Sequence, residues 1–297
     1  MLATKLILVG FLMLIQSEGT FQSDPPISCR TCDEWNQERE PFQIFGNSYY
    51  VGVEGLSAVL ITTEEGLILI DGALPQSAAF IDRNIRQLGF RTGDIRLILG
   101  SHAHFDHVGG IAALQRASGA TVISSPAGAE ALKQGHATAD DPQFAWVETD
   151  GYPPVENIRV VRDGESVSLG GLNITAHFTP GHTPGGITWT WRSCEGARCL
   201  DMVYADSLTA VSAPGFRFTG DDTRPSIVET LRASIAIVEQ LPCDVLIAAH
   251  PGFSNLFGSL DRRDQGEADA FVDAEACRTY AANATRTLDA RIAEEGK

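Results

Sequence analysis

Within six residues the chain carries His102, His104, Asp106 and His107, in the run HAHFDH. Three imidazoles and a carboxylate this close together are costly to desolvate, and a divalent cation that shares their lone pairs offsets that cost. A solvated histidine-rich loop is the plain alternative. Against it stand the apolar run Ile95–Leu99 just before the cluster and Gly109–Gly110, which opens an apolar helix, just after it. That setting is a strand end, where open α/β sheets place their chemistry.

Two more histidines share the setting. His182 lies in TPGHTPGG after the strand-like ITAHF, and His250 ends the apolar run DVLIAAH before Pro251–Gly252. A lone histidine is ordinarily structural, but two at strand ends bring the count of potential ligands to six. Zinc accepts neutral imidazole and carboxylate oxygen, and a catalytic zinc keeps a position for water. Six ligands divide as three and three. That suits two zinc ions about 3.5–4 Å apart, flanking a water whose pKa falls to about 7.

The elements needed to position these residues are legible. Hairpins are expected at Gly46–Asn47, between FQIF and YYVGV, and at Glu64–Gly66, between SAVLITT and LILIDGA. Helical apolar spacing covers Gln76–Leu88, followed by the strand IRLILGS, the histidine loop, a helix to about Arg116, the strand TVISS and a helix over Pro126–Gly135. Residues 136–154 lack periodicity and read as a long loop, which in a compact domain is more often functional than idle. The second half repeats the order, with strands near 158–161, 166–178, 186–192, 200–205 and 244–249, a helix at about 225–240 and a final helix over roughly 264–294. Two β-then-α halves predict an α/β fold of four layers, an αββα sandwich in which two mixed sheets pack face to face with helices outside.

Composition narrows the class. Hydrophobic residues make up 43% and charged residues 20% of 297, ordinary for a globular chain with a sizeable core. The net charge of −16 argues against nucleic acid or an anionic membrane as a partner. Lys5 followed by the apolar run Leu6–Ile15 fits an export signal cleaved near Gly19, with an uncleaved anchor as the alternative. Residues 20–297 would then form one domain outside the cytoplasm, periplasmic or secreted, and a monomer is expected. Six cysteines in an exported chain read as disulfides. Cys194 with Cys199 would clip a hairpin, Cys243 with Cys277 would tie the last strand to the C-terminal helix, and Cys29 with Cys32 would form a local bridge.

HAHFDH, the PGHTPGG histidine and the late AAH histidine resemble the metallo-β-lactamase superfamily. The narrower resemblance, to the third subclass of class B β-lactamases, rests on VYADSLTAVS, GITWTWRSCEG, DPQF, FGNSYYVG and the cysteines at 194, 199, 243 and 277. It covers the chain from about residue 35 onward. It implies that His102, His104 and His182 hold one zinc and that Asp106, His107 and His250 hold a second. The implied reaction is hydrolysis of the β-lactam amide of penicillins, cephalosporins and carbapenems by a zinc-generated hydroxide, without a covalent intermediate. Asp106 would also orient the hydroxide.

The resemblance further assigns Ser207 and Thr209 to the substrate carboxylate, although both could merely satisfy nearby backbone groups. Gln143 is a candidate to line the pocket. Asp71 would orient the metal loop without ligating. His136 and His177 read as structural or surface residues, and Trp146, Trp189 and Trp191 as packing. Two other readings are open: a thioester, lactone or phosphodiester hydrolase of the same fold, with Asp206 bridging both metals, and a secreted metal scavenger without turnover.

Overall fold

The computed structural model describes residues 21–147 and 151–297, so the expected export signal lies outside the described residues. The first half holds α1 (Cys32–Trp35), β1 (Phe42–Phe45), β2 (Ser48–Tyr50), β3 (Val59–Thr63), β4 (Gly66–Ile70), α2 (Ala78–Gln87), β5 (Ile95–Leu99), α3 (Phe105–Val108), α4 (Ile111–Ser118), β6 (Thr121–Ser124), α5 (Pro126–Gln134), α6 (Phe144–Val147) and β7 (Ile158–Val160). The second half holds β8 (Ser166–Leu169), β9 (Leu172–Phe178), β10 (Ile187–Glu195), β11 (Arg198–Ala205), α7 (Val228–Gln240), β12 (Val245–Ala248), α8 (Leu256–Asp264) and α9 (Ala276–Glu295).

The strands form a seven-stranded sheet in the order β1 to β7 and a five-stranded sheet in the order β12-β11-β10-β9-β8. Both sheets are mixed: β4, β5, β6 and β7 run parallel, as do β11 and β12, and the remaining pairs are antiparallel. Side chains alternate across each strand and sort into layers. Ile68 and Ile70 of β4 meet Met202 and Tyr204 of β11 between the sheets. Leu67 and Leu69 point the other way, into a core shared with Ile81 and Ile85 of α2 and Leu114 of α4. Val203 and Ala205 of β11 likewise face Leu231 of α7 and Leu288 of α9. The expected four layers are present.

Two boundaries differ from the sequence reading. The run expected at 166–178 is a hairpin, because Gly170 and Gly171 take φ of +52° and +81° and reverse the chain. The final helix starts at Ala276, and 265–275 is not helical. Gly266, at φ +102°, stops α8 there, and the segment turns so that Phe271 stacks on Phe42 with ring centroids 5.8 Å apart. The bridges Cys29–Cys32, Cys194–Cys199 and Cys243–Cys277 are all formed, the second joining paired positions of β10 and β11.

The ends of the parallel strands converge on one edge. β5 runs into the HAHFDH loop, β11 into Asp206 and β12 toward His250. Close packing there needs glycine: a Cβ on Gly110 would stand 2.3 Å from the Gly72 carbonyl oxygen, so α4 seats against the exit of β4 only without one.

Candidate metal centre

His102, His104 and His182 converge so that one ligand atom from each lies within 4.8 Å of the others, and Asp106, His107 and His250 do the same. All are buried except His250, whose side chain is 22% exposed toward the mouth. Positions separated by as many as 148 residues are thus gathered at one sheet edge.

Outer hydrogen bonds fix which nitrogen three of the rings offer, those of His182, His104 and His250. His182 Nδ1–H donates to the Thr209 carbonyl at 2.9 Å, with the Thr209 hydroxyl 3.0 Å away, which leaves Nε2 as the lone pair. Gln143 Nε2 donates to that nitrogen at 3.2 Å. His104 Nε2–H donates to Asp141, 3.1 and 3.2 Å from its two oxygens, so Nδ1 is the inward atom. His250 Nδ1–H donates to the Gly55 carbonyl at 3.0 Å. His102 Nδ1 lies 2.8 Å from Asp206 Oδ1, while its Nε2 is buried without a hydrogen-bond partner among the described residues. A buried orphan nitrogen beside two other inward lone pairs is what a cation would satisfy.

Electrostatics favour the neutral, ligating form for His102 and His182 and the charged form for His104. Burial, reinforced by the neighbouring imidazoles, pushes His102 well below the ordinary histidine range and lowers His182 to about 3, so both are neutral. Burial alone would lower His104, but the Asp141 carboxylate outweighs it and holds the ring above its ordinary value. Burial would raise Asp106, yet His107 and His250 keep it well below the carboxylate range and ionised.

The match to the Metallo-beta-lactamase superfamily model spans residues 51–250, which holds all six of these residues. The chain belongs to the metallo-beta-lactamase superfamily. Among solved structures it is 51% identical to Rm3 metallo-beta-lactamase, covering 91% of this chain and 100% of that one, with a TM-score of 0.88. It is 49% identical to MEM-A1, a subclass B3 metallo-beta-lactamase from a soil metagenome library, covering 88% and 98% with a TM-score of 0.85. A hydroxyacylglutathione hydrolase from Anaeromyxobacter dehalogenans is 31% identical over 157 residues, 53% of this chain and 47% of that protein. The chain spans only 47–60% of the length of such curated relatives.

The remaining residues singled out in the sequence fall into place around this superfamily site. Gln143, Ser207 and Thr209 line a pocket of about 470 Å³ over the two groups, together with Asp106, His104, His182 and His250. Asp71, left-handed at φ +60°, ligates nothing: it accepts from the Ser101 backbone N–H at 2.7 Å, the Ser101 hydroxyl at 2.6 Å and the Tyr204 hydroxyl at 2.8 Å. Asp206 belongs to neither group and faces the outer nitrogen of His102 instead of the space between the groups. His177 bonds Thr190 on the five-stranded sheet, and His136 bonds the Ala137 carbonyl. Trp189 and Trp191 are core, whereas Trp146 is 46% exposed.

Sequence reasoning missed two contributors. Asp141, which fixes His104, sits in the loop without periodicity; its place in DPQF was the available signal. Trp35 closes the pocket beside His250, with ring centroids 5.2 Å apart. Nothing in its local sequence marks it.

Proposed function

We propose that this protein hydrolyses the β-lactam amide bond using two zinc ions, one held by His102, His104 and His182 and the other by Asp106, His107 and His250. The observation that carries the reading is the pair of three-ligand groups side by side on the floor of one open pocket. The all-nitrogen group and the carboxylate-containing group both suit zinc, and the orphan Nε2 of His102 fits a ligand role. When bound, zinc lowers the pKa of water and offers positive charge to a developing oxyanion.

The chain's own residues do the rest. Asp106, ionised and lining the pocket, accepts a hydrogen bond from the attacking water and orients it. Ser207 and Thr209 offer hydroxyls to the substrate carboxylate. Gln143 Nε2 lies 3.2 Å from His182 Nε2, and its amide would be free to meet substrate once His182 served as a ligand. Trp35, Phe105, Val211 and Phe253 supply an apolar wall for substituents on the lactam.

Residues 1–19 are read as an export signal and 20–297 as one periplasmic or secreted domain acting as a monomer. Pairing of all six cysteines supports an oxidising compartment. No helix among the described residues is long and apolar enough to cross a membrane.

The test is hydrolysis of a carbapenem and a cephalosporin by purified protein, with and without a chelator. Turnover abolished by the chelator and restored by zinc is expected. A folded, zinc-loaded protein that leaves both intact but cleaves a thioester or lactone would replace the β-lactam assignment.

A further inference from the structure

Behind the metal pocket lies a second cavity, of about 580 Å³. Its walls are mostly apolar, formed by Pro142, Pro180, Pro184, Phe216, Pro225 and Ile227. Arg224 stands at the rim, its guanidinium 5.4 Å from the centre of the Phe216 ring. Thr183, 3% exposed, belongs to the wall, and its hydroxyl has no hydrogen-bond partner among the described residues. The volume falls within the range of about 300–1,000 Å³ typical of small-molecule sites.

One partition separates this cavity from the metal centre. Asp140 and Pro142, on the cavity wall, flank Asp141, which fixes His104. Gly181 and Thr183, also on the wall, flank His182. Two of the three residues of the all-histidine group are therefore backed by segments that an occupant would touch.

We propose that this cavity binds an aromatic monocarboxylate, ring among the prolines and Phe216 and carboxylate on Arg224, and that the bound ligand restrains the segments holding His104 and His182. Asp140 contributes a like charge on the partition side, which disfavours a second carboxylate and orients the ligand toward Arg224. A ligand filling space already open leaves the partition in place and narrows its motion, so metal leaves the all-histidine group more slowly.

The probe is 2-naphthoate, titrated by calorimetry into the zinc-loaded protein. One saturable equivalent is expected. Arg224→Gln weakens it about tenfold, and Thr230→Trp, which fills the cavity from an exposed position of α7, abolishes it. Saturating probe slows stripping of zinc by a chelator several-fold in the parent protein and has no effect on Thr230→Trp. Absence of saturable binding, or binding that both variants leave unchanged, overturns the site. An unchanged stripping rate with the probe bound overturns the coupling to the metal centre.

Discussion

His104 and His182 each turn an outer ring nitrogen to a fixed acceptor, Asp141 and the Thr209 carbonyl, and His102 Nδ1 lies 3.3 Å from the Ser101 hydroxyl and 2.8 Å from Asp206 Oδ1. In the other group only His250 does so, through the Gly55 carbonyl; His107 Nδ1 lies 3.8 Å from Asp71 and has no hydrogen-bond partner among the described residues. The all-histidine group is also fully buried, whereas His250 reaches the mouth. One half of the centre is thus pre-organised by outer acceptors. The other relies on ionised Asp106 between two imidazoles, 3.3 Å from His107 and 3.5 Å from His250. Orientation by outer partners is worth roughly 10–100-fold in metal affinity, so the two sites should respond differently to the same kind of damage.

The largest effect comes from removing ligands. On the proposed two-zinc reading, His182→Ala should cost the ion of the all-histidine group, and His107→Ala the other ion selectively, each lowering zinc content from two per chain to one by elemental analysis. Two zincs still tightly held by His107→Ala would dissolve the division between the groups. Next is Asp141→Ala, which removes the acceptor of His104. Zinc affinity of the first group should fall roughly 10–100-fold in competition with a chromophoric chelator, while the second group holds its ion. Equal weakening of both sites would mean that the groups are one coupled unit.

The smallest effect is a slope. Burial lowers His182 from 6.5 to about 3, so in metal-free protein the unfolded chain binds a proton between those values that the folded chain does not. Stability is therefore present above pH 6.5 and falls as pH drops from there toward 3, by at most about 1.4 kcal/mol per pH unit for that one ring. Urea unfolding of metal-free His182→Gln should show a slope shallower by that amount. An unchanged slope would mean that His182 is already charged in the folded apoprotein.

The groups also differ in how far sequence exposes them. HAHFDH is local, so its density alone marks it, and His182 and His250 are found because each ends an apolar strand. The supporting residues are less legible. Asp141 reaches His104 across 37 positions from a loop without periodicity, and Trp35 reaches His250 from a four-residue helix. Such contacts are set by tertiary packing, which leaves no periodic signal. The layers follow from alternation along β4 and β11, but the break at 265–275 does not. EADAFVDAEA is compatible with helix, and long-range contacts decide otherwise, among them the stacking of Phe271 on Phe42 and the Asp273 N–H donated to the Asp244 carbonyl, after the left-handed Gly266.

His250 enters from the strand that completes the second sheet, and its ring is held by the carbonyl of Gly55, near the other end of the chain. During synthesis, then, the first five ligands emerge well before the sixth. A chain halted short of residue 250 carries every member of the first group but only two of the three in the second, so the second group is complete only once the last strand has docked.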